Sequence, residues 1–99
     1  MNIQKMLQQA QAAQAQIQKA LAELEVEGSA GGGLVRVRLS GLKELKGVQI
    51  DTAALQGEDA GLVGDLVMAA WEEATRQLDE QSKALLSRMG MPPGLSGLL

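Results

Sequence analysis

Apolar residues recur along this chain with two different periods, and the change between them divides it into three parts. From Asn2 to about Leu24 the positions Ile3, Met6, Leu7, Ala10, Ala13, Ile17, Ala20, Leu21 and Leu24 follow threes and fours, which predicts an amphipathic helix with glutamines on its other faces. Around Glu25 the period becomes two. Val35, Val37 and Leu39 alternate with Arg36, Arg38 and Ser40, and Val48 and Ile50 alternate with Gln49 and Asp51, so three short antiparallel strands are expected at roughly 24–30, 34–40 and 46–51. Gly31-Gly32-Gly33 suits a hairpin needing positive φ, and Ser40-Gly41 with Lys43 to Lys46 supplies the second connection. After Gly57 the helical period returns, with Asp59 as the expected N-cap and Val63, Leu66, Val67, Ala70, Ala74, Leu78, Leu85 and Met89 on one stripe, closed by Gly90 and Pro92-Pro93-Gly94.

The expected fold is therefore α+β: a long helix, a three-stranded antiparallel sheet and a second long helix, one domain over 1–90 followed by a flexible tail at 91–99. Lengths sharpen this. The helices should run on the order of 35 and 45 Å, against about 20–23 Å for the strands, so the sheet cannot cover either helix fully. The overhanging parts are expected to bury their seams against each other in antiparallel fashion, as projecting arms, with the start of the first helix beside the end of the second.

Composition adds a thin core and a polarised charge. Trp71 is the one aromatic, placed on or beside the buried stripe and expected to anchor the core, and the apolar share is mostly Ala, Leu and Val, which favours self-association of so short a chain. All twelve carboxylates lie between Glu23 and Glu80, whereas the first 22 and last 19 residues carry only Lys5, Lys19, Lys83 and Arg88. The ends sum to +4 and the middle to −7 within a net charge of −3. If the ends meet, they make a positive tip on a negative body.

Catalysis is not expected. There is no His, Cys or Tyr, and the adjacent pairs Glu72-Glu73 and Asp79-Glu80 diverge by about 100° on a helix, which leaves no metal clamp and no cofactor site. The Gly28 to Gly33 glycines precede a strand instead of opening a helix, so a hairpin is the better reading than a phosphate cradle. Arg36 and Arg38 either bind phosphate or pair with Glu25 and Glu27 across the hairpin, and pairing is favoured. The N-terminal glutamines replace the apolar segment of a leader and no stretch is long enough to span a membrane, so a cytoplasmic protein is expected.

The ordered set of a Gln-rich first helix, Gly28-Ser29-Ala30-Gly31-Gly32-Gly33-Leu34-Val35-Arg36-Val37-Arg38-Leu39-Ser40-Gly41, Val48-Gln49-Ile50-Asp51, Asp65-Leu66-Val67-Met68-Ala69-Ala70 and Met91-Pro92-Pro93-Gly94 resembles the YbaB/EbfC family of bacterial nucleoid-associated proteins. The resemblance implies a homodimer with a central hinge of strands and tweezer-like helical arms around duplex DNA, low sequence specificity, and a role in bridging or compacting the chromosome or in regulation. Under this reading Lys5, Gln8, Gln9, Lys19, Lys83 and Arg88 face DNA, and Leu34, Val35, Val37, Leu39, Val48 and Ile50 form the dimer interface. The rival reading is a prefoldin-like clamp for protein clients, using exposed apolar seam residues; a secreted WXG-type hairpin fails because Glu72 and Glu73 follow Trp71.

Overall fold

A computed structural model describes residues 2–90 and shows helix α1 (Ile3–Glu23), strands β1 (Glu25–Ala30), β2 (Val35–Ser40) and β3 (Leu45–Ile50), and helix α2 (Ala60–Arg88). The fold is α+β, in the expected order. The expected tail at 91–99, with Met91-Pro92-Pro93-Gly94, lies outside the described residues.

Local chemistry explains each boundary. The Asn2 side chain accepts from the Lys5 amide at 3.3 Å and caps α1, while Asp59 accepts from the Leu62 amide at 2.7 Å and caps α2. Gly31, Gly32 and Gly33 take φ of 66°, 71° and 96°, the left-handed region in which the β1–β2 turn is made without a Cβ penalty. The second turn relies on Ser40, whose buried Oγ accepts from the amides of Leu42 and Glu44, both at 3.2 Å. That hydroxyl satisfies two donors in a turn where Lys43 also adopts a left-handed φ of 66°.

The strands form an antiparallel sheet in the order β1-β2-β3, with Val26 opposite Leu39 and Val37 opposite Val48. A bulge between Arg38 and Leu39 sets Leu39 opposite Leu45, which keeps Leu45, Val48 and Ile50 on the same face as Val35, Val37 and Leu39. Helix α2 crosses that face over β1 and β2. Its Ala70, Ala74 and Leu78 close the main core with Val26, Val35, Val37, Leu39 and Leu55.

The approach is close enough to dictate residue size. A Cβ on Gly28 would stand 2.2 Å from the Ala70 carbonyl oxygen and 2.3 Å from the Ala74 nitrogen, so β1 and α2 meet backbone to backbone. Trp71 is consequently excluded from the centre of the core and remains 41% exposed, a correction to its expected role as anchor. Only alanines fit under the helix where it touches the strand.

The arms also differ from expectation. A second, small cluster joins Ile17 and Leu21 of α1 to Leu86 of α2, with Leu85 against it, whereas every side chain of α1 from Ile3 to Gln16 is exposed. Helix α2 thus ends level with the last two turns of α1, and α1 continues for about 20 Å with no other described element beside it. The reason is arithmetic: α2 spends most of its 29 residues crossing the sheet, whereas the 21 residues of α1 begin beyond it. The molecule is elongated, 68 × 19 × 18 Å.

Candidate nucleic-acid interface

The residues expected to meet DNA are all exposed and all lie on the arm, but they do not make one tip. Lys5 stands near the free end of α1; Lys19, Lys83 and Arg88 lie near the Ile17–Leu21–Leu86 contact, about 20 Å back along the axis. The juxtaposition of Lys5 with Lys83 and Arg88 is therefore corrected, because α2 stops short. Lys83 and Arg88 are five residues apart and so about 140° apart around α2, which spreads them over two faces.

On α1 the arrangement is more regular. Lys5 and Lys19 are fourteen residues apart, which returns them to nearly the same side of the helix at about 21 Å spacing. Gln8, Ala12 and Ala15 lie between them, on the side away from Ile3, Leu7, Ala10 and Ile17, while Gln9 falls at the edge of that stripe. One face of α1 is thus cationic at Lys5 and Lys19 and polar or small between them, with Glu23 one turn beyond Lys19 as the carboxylate on that side.

Among the described residues, the ion pairs fall in the hub and the middle of α2 and none on the arm. Arg38 pairs with Glu25 at 3.3 Å, Lys46 with Glu44 at 3.2 Å, and Arg76 with Glu80 at 3.5 Å. Among the described residues, Lys5, Lys19, Lys83 and Arg88 have no carboxylate within bridging distance, and neither do Arg36 and Lys43. The favoured cross-hairpin pairing thus holds for Arg38 with Glu25. It does not extend to Arg36, whose strand neighbours are Ser29 and Gln49. The outer face of the sheet is accordingly a mixed polar surface, while the arm keeps its cations available.

The residues expected at a dimer interface are divided by the fold. Val35, Val37 and Leu39 are 0%, 1% and 0% exposed because the protomer's own α2 covers them, so their side chains are unavailable to a second copy. Val48 and Ile50, on the same face but beyond the reach of α2, remain 42% and 40% exposed, and Leu34 is half-buried. Leu45, which was not anticipated, is 54% exposed beside them. Its alternation with the bulge between it and Val48 hid it, since the extra residue breaks the period of two. Gly28 and Gly41 were also missed as packing positions; a Cβ on Gly41 would stand 2.3 Å from the Leu21 carbonyl oxygen, which fixes where α1 joins the sheet.

Among the described residues there is no group of three or more acidic side chains placed to hold a metal ion, and no helix is long and apolar enough to cross a membrane. The surface hollows, such as that of about 250 Å³ lined by Ala22, Glu25, Arg38 and Lys46, are open and shallow.

The model of the YbaB/EbfC DNA-binding family matches residues 1–92. This chain belongs to that family. It is 43% identical over 100 residues to a nucleoid-associated protein of Xylella fastidiosa, covering 94% of this chain and 92% of the relative. A nucleoid-associated protein of Psychrobacter is 41% identical over 109 residues, covering 99% and 98%. Among solved structures, the uncharacterized protein HP0035 from Helicobacter pylori superposes with a TM-score of 0.72 at 26% identity, covering 90% of this chain and 97% of that one. The helix, three-stranded sheet and helix described above are thus those of a YbaB/EbfC protein.

Proposed function

We propose that this protein acts as a nucleoid-associated homodimer in the bacterial cytoplasm, gripping duplex DNA between its arms with low sequence specificity and bridging or compacting it, with effects on transcription where bound copies crowd a promoter. The observation that carries this reading is the arm itself: four cations, none with a carboxylate partner among the described residues, on a projection of a chain whose family binds DNA. Phosphate supplies the missing counter-charge. The dipole of α1 adds a partial positive charge at the end that carries Lys5.

A second copy supplies the second arm. Leu45, Val48 and Ile50 leave an apolar strip on the sheet's edge strand, and pairing two such edges would cover it and complete the hydrogen bonding of β3. With four arm cations per protomer, eight are available per dimer. If about six to eight neutralise phosphates, log K falls with log salt at a slope of about −5 to −7. Among the described residues no element presents a recognition helix with several base-reading side chains, so Gln8 and Gln9 serve as polar contacts to backbone or base edges without imposing a sequence.

A gel-shift and footprinting series across salt concentration tests the proposal. Steep weakening with salt and an unbroken footprint along the duplex are expected. The prefoldin-like reading draws on the exposed Ile3, Met6 and Leu7, and it requires the opposite result: no salt-sensitive DNA complex, and capture of unfolded protein that persists at high salt.

A further inference from the structure

Trp71 and Met68 stay exposed on α2, at 41% and 63%, and the fold sets them beside the open strip of β3. The sheet-facing residues of α2 advance in the order Leu66, Ala70, Ala74, Leu78, each about 40° further round the helix. Leu66 reaches Gly31 at the end of β1, and Ala70 and Ala74 sit on Gly28. Val37 bonds to Gly28 through its backbone and turns its side chain to α2, and for L-residues this hand sets β3 on the side toward which that series advances. Trp71, about 60° beyond Ala74, therefore stands on the β3 flank. Gly28, Val37 and Val48 are paired in register, so Trp71 is level with Val48.

The result is one apolar patch, a ridge on α2 beside a floor on β3, and three features fit it to its own copy. The first is area: Leu45, Val48 and Ile50 alone expose no more than about 300 Å², against about 800 Å² per partner in a stable interface, and the ridge roughly doubles the apolar part. The second is Gly64, one turn before Met68 on the same flank. A glycine inside a helix costs about 1 kcal/mol relative to alanine, yet a Cβ here would have nothing within 4 Å, so the protomer's own packing does not call for it. It leaves a notch that an incoming side chain can enter. The third is charge: Asp65, Glu72 and Asp79 run in line along the outer side of the ridge with no cation in bridging distance among the described residues, and Lys43, in the turn before Leu45, has no carboxylate. The rims of two such patches are thus of opposite sign.

We propose that the Met68–Trp71 ridge of each protomer closes over the Leu45–Val48–Ile50 strip of a second copy, and reciprocally, so that Trp71 anchors an intermolecular core that the single protomer lacks. The contact rests on the homodimer reading and adds α2 to its interface. It lies on the hub, away from the cations assigned to DNA.

Trp71 is the one aromatic residue, so its fluorescence reads the contact directly in the full chain without DNA. Emission and acrylamide quenching are followed across a dilution series while sedimentation gives the state of the same samples, with Val48→Lys/Ile50→Lys as the monomer where dilution does not reach it. A blue shift and a severalfold fall in quenching that track dimer formation are expected. Trp71→Ala, a change outside both core clusters, should raise the dimer dissociation constant by about 30-fold or more. A dimer in which Trp71 is quenched as readily as in the monomer, or one that Trp71→Ala leaves equally tight, would overturn the contact and leave the homodimer reading standing. A chain that sediments as a monomer at every concentration would overturn both.

Discussion

Glycine identity decides how closely this protein's layers approach, and the consequences differ by position. Gly28→Ala drives a Cβ into the backbone of α2 at 2.2 Å, a contact no side-chain rotation relieves, so destabilisation of about 1–3 kcal/mol or more is expected in urea unfolding. Gly47→Ala meets only the Arg38 guanidinium, at 2.7 Å, and that exposed side chain moves aside. Its expected change is within about 0.5 kcal/mol. The pair separates backbone contact from mere proximity: equal losses in both would refute the tight β1–α2 seat. Ser40→Ala removes an acceptor shared by two amides in a buried turn, and a loss of about 1–3 kcal/mol is expected in the same experiment.

Among the elements, α2 serves two partners, and its two halves should respond differently to truncation. Leu78→Ala opens the main core, where Leu78 is 1% exposed, and should lower global stability by about 2–5 kcal/mol with loss of cooperative unfolding at lower denaturant. Leu86→Ala touches only the small cluster with Ile17 and Leu21. Its effect belongs to the arm. Amide exchange in α1 should accelerate while the strands keep their protection, and a uniform acceleration across sheet and arm would show that the two clusters unfold as one.

For the whole molecule, ion pairs at Arg38, Lys46 and Arg76, against arm cations that have no carboxylate partner among the described residues, predict which charges matter to DNA. Lys5→Glu/Lys19→Glu should abolish the complex at physiological salt and flatten the salt slope of what remains, since each changes a phosphate contact into a repulsion. Arg38→Glu, by contrast, replaces a cation already held by Glu25 and should leave titrations on the same duplex nearly unchanged. Loss of binding in the sheet variant alone would move the site to the hub. Val48→Lys/Ile50→Lys tests the edge strip: sedimentation should report a monomer, and a persistent dimer would place the interface elsewhere.

Element type and order were legible in the sequence because period, caps and turns are local properties. The switch from threes and fours to twos, Asp59 before an apolar stripe, and three glycines between strands each act within a few residues, and the charge segregation needs only counting. Family membership was legible for the same reason, as an ordered string of such signals. Which residues meet across the chain depended on the tertiary structure. The seat of Gly28 on Ala70 displaced Trp71 from the core, the width of α2 left β3 uncovered while burying Val35, Val37 and Leu39, and the length of α2 used up on the sheet left Lys5 far from Arg88. Periodicity tells which face of a helix is apolar, but only packing sets how far along that face a partner reaches. The reach depends on where two elements cross, and no single element encodes that point.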